Sequence, residues 1–149
     1  MLAVATLLAV SIGGYVVLRP RDLAVQAAPR ANDPGCAEVA AHWPGQVAGR
    51  SRVPLAGDPA GVAAWGDPGI VARCGLDSPP PTTSDCIAAE GVDWVARTAG
   101  QGGGMVFLTY GRSPAIELIV PAAYAPEPLL LAAFADAARQ LPQGNHRCR

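Results

Sequence analysis

The apolar positions of this chain change rhythm along its length, and each rhythm predicts an element. From Leu2 to Leu18 the run is nearly continuous, with only Thr6, Ser11, Gly13 and Gly14 among Ala, Val, Leu, Ile and Tyr, until Arg19-Pro20-Arg21 closes it. At about 1.5 Å per residue a helix over this run reaches roughly 26 Å, just short of a bilayer core. A spanning helix or a signal segment fits this extreme N-terminal position better than a buried core helix. Residues 19–31 lose periodicity and read as a juxtamembrane linker.

Helical spacing returns at Cys36, Val39, Ala40 and Trp43, with Asp33 placed as N-cap, Pro34 as the first helical residue and Pro44-Gly45 as the stop. Arg50–Ala56, broken by Pro54, suits an edge strand. A Gly/Pro/Asp loop carrying Trp65 leads to Ile70–Leu76, a second strand, and Pro79-Pro80-Pro81 then force an extended excursion. In Gly91–Thr98 the residues Val92, Trp94 and Ala96 alternate with Asp93, Val95 and Arg97. With Met105–Tyr110 beyond a glycine-rich turn, this predicts a β-hairpin. Ala115–Val120 is the last strand, apolar except for Glu117. Pro126-Glu127-Pro128 open a closing helix lined by Leu130, Phe134, Ala137 and Leu141, before Pro142 and Gly144 end it. The order implies an α+β domain over residues 32–149, a mostly antiparallel sheet of four or five strands with both helices on one face.

Composition adjusts this picture only slightly. Beyond the N-terminal segment about 110 to 120 residues remain, enough for one core. Aromatic residues are 5% of the chain, so Val, Ile, Leu and Ala must fill most of that core. All 11 basic residues are arginine, as a GC-rich genome would encode, and 12 acidic residues leave a formal charge of -1. No strong field is present to attract nucleic acid or an anionic membrane surface, so membrane contact is expected through Leu2–Leu18 alone.

Cys36, Cys74, Cys86 and Cys148 all follow the apolar segment, with no C-x-x-C pair and only His42 and His146 to assist a metal. A zinc site is therefore not expected, and two disulfides are, with three possible pairings. Cys74 with Cys86 would close a short loop through the prolines, and Cys36 with Cys148 would clamp the domain's ends. Chain entropy gives these roughly 3 and 4.7 kcal/mol. Disulfides imply an oxidising compartment, hence export. The best cleavage candidate, Val25-Gln26-Ala27, lies beyond Arg19, Arg21 and Asp22, and Asp33-Pro34-Gly35 before Cys36 is no lipobox, which favours an uncleaved anchor. The arginines behind the segment would by the positive-inside tendency hold the domain in the cytoplasm, so export calls for a basic stretch upstream of Met1.

No complete catalytic, metal or cofactor set stands out. Gly100–Gly104 lacks the Lys-Ser/Thr of a phosphate loop, Ser113 precedes Pro114 instead of sitting in a nucleophile elbow, and His42 and His146 are isolated. His42 near a helix end suits a dipole contact, and His146 an exposed tail position. Arg73, Asp93, Arg112 and Glu117 form the candidate polar cluster: charges among apolar strand residues must be partnered, arginine to carboxylate, or line a polar ligand pocket. In an enzymatic alternative Asp93 and Glu117 would be acid and base.

Several motifs together carry a resemblance: Trp65-Gly66-Asp67-Pro68 leading to Ile70-Val71-Ala72-Arg73-Cys74-Gly75, Asp85-Cys86, Gly91-Val92-Asp93-Trp94, Thr109 to Glu117, and His146-Arg147-Cys148. Through them the chain resembles an actinobacterial family of envelope proteins, the domain of unknown function 3515 family. The resemblance implies an N-terminal membrane segment and an extracytoplasmic domain, and brings no activity with it. The expectation is a single-pass cell-membrane protein without cofactor, whose outer domain binds an envelope protein or cell-wall component. The alternative is a small enzyme acting on a wall or lipid precursor.

Overall fold

A computed structural model describes residues 22–149. The expected anchor, Leu2–Leu18, lies outside the described residues, and among those described no helix is long and apolar enough to cross a membrane. Helix α1 (Pro34–Ala41) starts where the sequence places it, with the Asp33 side chain accepting the Gly35 N–H at 2.9 Å. Next come β1 (Gln46–Val47) and β2 (Arg50–Ser51), a minimal hairpin turned at Ala48-Gly49, where both residues have positive φ. Then follow β3 (Val62–Trp65), β4 (Ile70–Leu76), β5 (Cys86–Ala89), β6 (Val92–Thr98), β7 (Met105–Thr109) and β8 (Ala115–Val120). These six form one sheet, ordered β3-β4-β8-β7-β6-β5 and antiparallel throughout. A 3-10 helix, Glu127–Phe134, runs into α2 (Ala135–Arg139).

Strand alternation gives the sheet two unlike faces. On the inner face Ala72, Cys74, Trp94, Phe107, Ile116 and Leu118 share a core with Cys36, Val39 and Trp43 from the first helical region and Leu131, Phe134, Ala137 and Leu141 from the last. The few aromatics are concentrated here. Trp43, Trp65 and Phe134 meet edge to face with centroids 5.3 to 6.4 Å apart, and the Trp65 indole donates to the Pro44 carbonyl at 2.9 Å. On the outer face lie Arg73, Asp93, Val95, Arg97, Val106, Leu108 and Glu117, as the cross-strand register requires.

The structure departs from the sequence reading in identifiable ways. The sheet has six strands instead of four or five, because Val62–Trp65 and Cys86–Ala89 add an edge strand on either side. β3 is short and nearly all buried, so it shows no alternation, while the β5–β6 turn is Glu90-Gly91, an I′-type pair without the usual Asn or Asp. The expected edge strand shrinks to Arg50–Ser51 in a separate hairpin. The closing helix is 3-10 over most of its length. The stretch read as linker is docked on the domain from Leu23: Ala56 N–H donates to Leu23 O at 3.0 Å, Arg30 N–H donates to Gly75 O at 2.9 Å, and Ala28 and Ala31 are buried. Gly75 (φ 115°) must be glycine for this, since a Cβ there would lie 2.5 Å from the Ala31 nitrogen.

The disulfides are Cys36–Cys74 and Cys86–Cys148, not Cys74–Cys86 and Cys36–Cys148. β8, β7 and β6 intervene between the strands carrying Cys74 and Cys86, a separation of four strand spacings or about 19 Å, far beyond disulfide reach. Cys36 and Cys148 lie on opposite sides of the sheet. Each bond therefore fastens one covering element to one face: α1 to the inner face, and the C-terminal tail to the outer edge.

Candidate functional site

The outer face is where polar chemistry collects. Glu117 on β8 stands directly opposite Arg73 on β4, and Arg73 Nε donates to Glu117 Oε1 at 2.7 Å. Arg97 reaches over from β6 and places a guanidinium nitrogen 3.5 Å from Glu117 Oε2. The carboxylate is buried while Arg97 is largely exposed, so one buried anion is shared by two cations and the cluster carries a net positive charge.

Asp93 and Arg112 are buried as well but do not join this cluster, nor any ion pair among the described residues. Asp93 lies two strands from Glu117, about 10 Å across the sheet, and a further 7 Å or so along β6. Arg112, in the β7–β8 turn, donates to the Leu141 carbonyl, and its Nε is buried without a partner. Burial, with the guanidinium groups of Arg147 and Arg139 nearby, lowers its pKa from the ordinary arginine value, and Asp93 opposes that shift. The four candidate residues thus separate into an ion-paired set, Arg73 and Glu117, and a buried set, Asp93 and Arg112, with no carboxylate pair for acid and base.

Two concavities flank the connection from β4 to β5, which carries Pro79-Pro80-Pro81 from one side of the sheet to the far edge. One, of about 260 Å³, is roofed by the prolines and floored by Val95, Val106 and Leu108, with Arg97 and Glu117 at its polar end. The other, of about 570 Å³, lies between that connection and the C-terminal tail, with Asp85, Tyr110, His146, Arg147 and the Cys86–Cys148 bond in its wall. His146 stacks on Tyr110 with centroids 5.5 Å apart, so it is ordered instead of loosely exposed. His42 caps α1, its Nδ1 donating to the Glu38 carbonyl at 2.8 Å. Among the described residues no group of His, Cys, Asp and Glu is arranged to hold a metal ion.

A family model described as protein of unknown function (DUF3515) matches residues 1–145. The chain belongs to this family. No curated protein and no solved structure matches it. The motifs that carried the resemblance map onto the sheet, its turns and the tail: Trp65 to Gly75 runs from the end of β3 through most of β4, Asp85-Cys86 opens β5, Gly91 to Trp94 covers the β5–β6 turn and the start of β6, Thr109 to Glu117 covers the β7–β8 turn and the first half of β8, and His146-Arg147-Cys148 lies in the C-terminal tail. All four candidate residues fall within these motifs.

Sequence reasoning did not select Arg97, Tyr110 or Arg147 as site residues. For Arg97 a signal existed, because the alternation of Gly91–Thr98 already put it beside Asp93 and Val95. Tyr110 and Arg147 fall within the resemblance motifs, but nothing in the sequence joined them, since only the path of the tail brings them to one concavity.

Proposed function

We propose that this chain is a membrane-tethered module of the bacterial cell envelope, held by Leu2–Leu18, whose extracytoplasmic domain binds an envelope protein or cell-wall component through the outer face of its sheet. The observation that carries this reading is the pair of disulfides, which use every cysteine and point to an oxidising compartment. The family match supports the tether in that it takes in the apolar segment. Binding is favoured over catalysis because Glu117 is already engaged by two arginines and Asp93 is remote from it.

The test is topology mapping of the full chain in bacterial cells. The expected result is alkali-resistant membrane association, digestion of the domain by protease added outside spheroplasts, and both disulfides in non-reducing peptide maps. Free thiols, or a domain digested only after lysis, would overturn the location. For binding, crosslinking from Leu108 in the outer groove is expected to capture an envelope component that Arg97→Glu diminishes. Equal capture from Leu108 and from the remote surface residue Leu129 would remove the outer face from the proposal.

A further inference from the structure

The two disulfides differ in accessibility. Cys36 and Cys74 are 0% exposed and belong to the inner core. Cys86 and Cys148 are only partly buried, and both line the 570 Å³ concavity on the outer face. A thiolate can exchange with a disulfide only if it reaches one of the sulfurs, so solvent and small thiols meet one bond and not the other.

We propose that Cys86–Cys148 is a thiol–disulfide exchange site for a dithiol of the oxidoreductase class, opened while the domain stays folded, and that its opening frees the C-terminal strap. The attacking thiolate forms a bond to Cys86 Sγ, the S–S bond breaks, and its electron pair departs on Cys148 Sγ. Arg147 and Arg149 flank Cys148 and stabilise the departing thiolate, whereas Asp85 beside Cys86 disfavours the opposite polarity. The second thiol of the reductant then displaces Cys86. Overall the dithiol is oxidised to its disulfide, and its two electrons and two protons pass to Cys86 and Cys148.

The strap is a built structure. Gly144 N–H donates to Gly111 O at 2.7 Å, Gln143 Nε2 donates to the Tyr110 and His146 carbonyls, and His146 lies on the Tyr110 ring. Gly111 (φ 77°) leaves no room for a Cβ, which would collide with the His146 carbonyl, so the turn is shaped to seat the tail. Reduction would leave only these weak bonds to hold the strap, and it would loosen the wall of the larger concavity. This deepens the envelope-binding reading by naming a partner class, yet its chemical test does not depend on where the protein resides.

The full chain in detergent micelles is treated with graded dithiothreitol, quenched in acid, differentially alkylated and peptide-mapped, with tryptophan fluorescence followed in parallel. Cys86 and Cys148 are expected to become alkylated at least about tenfold faster than Cys36 and Cys74, with tryptophan emission unchanged. Equal rates, earlier reduction of Cys36–Cys74, or loss of tryptophan burial together with Cys86–Cys148 would overturn the proposal. With glutathione the mixed disulfide is expected mainly on Cys86, and R147A with R149A is expected to slow exchange several-fold. A mixed disulfide mainly on Cys148, or an unchanged rate, would overturn the assigned polarity. A cytoplasmic location found together with this reactivity contrast would defeat the envelope reading and leave the exchange site standing.

Discussion

One sheet presents two faces built by the same alternation, and they have been completed by opposite means. The inner face is closed by helical elements carrying Trp43, Leu131 and Phe134, and its disulfide is excluded from water. The outer face is crossed, among the described residues, by a proline-rich connection and a tail, which leave two concavities, a partly exposed ion cluster and an accessible disulfide. Helices bring apolar stripes that fill a face, whereas extended segments cover it in bands and leave gaps between them. Stability is therefore concentrated inside, and recognition has room outside.

Removing the disulfides gives the sharpest test of that contrast. Chain entropy alone ranks them the other way, about 3.9 kcal/mol for the 38-residue separation of Cys36–Cys74 against about 4.3 for the 62-residue separation of Cys86–Cys148. Packing should reverse this, so Cys36→Ala with Cys74→Ala is expected to lower urea stability more than Cys86→Ala with Cys148→Ala. The reverse order would show that the outer strap supports the fold as much as the helices do. Phe134→Ala should come next, at about 3 to 5 kcal/mol, because it empties the centre of the aromatic cluster. Glu117→Gln on the outer face should cost only about 1 to 2 kcal/mol, less than a fully buried ion pair, since Arg73 and Arg97 reach water. Arg112→Met should stay within about 1 kcal/mol of the parent, because the hydrogen bond to Leu141 is lost while a desolvated charge is removed. The lowered pKa of Arg112 means that its charged form counts against the fold at every pH below that value, neutral pH included. The smallest effect belongs to Arg97→Ala, under about 0.5 kcal/mol, so any loss of partner capture in that variant would report binding, not unfolding.

The parts of the fold that were legible have local causes. Asp33-Pro34 capped a helix, the Val92/Trp94/Ala96 alternation fixed which side of β6 faces inward, and Ile70–Leu76 and Ala115–Val120 were strands by composition. β3 and β5 were hidden for local reasons too: one is buried without alternation, and the other ends in Glu90-Gly91, where glutamate adopts positive φ without the customary turn chemistry. In the candidate site Arg73 and Glu117 were legible as strand charges that need partners, but their pairing with each other follows from the adjacency of β4 and β8. Arg112 and Asp93 could not be matched to partners from sequence, because the buried surroundings of Arg112 come from the chain after α2.

The sequence by itself determined the alternation that makes a two-faced sheet, the capped first helix and the presence of four cysteines beyond an apolar segment. These are properties of neighbours along the chain, governed by propensity and periodicity. Only the tertiary structure decided which cysteines meet and on which face, which charges pair, and where the concavities open. Those depend on strand order: once β8 inserts beside β4, it carries Glu117 to Arg73 and sets three strands between Cys74 and Cys86. Sequence proximity then no longer measures distance in space.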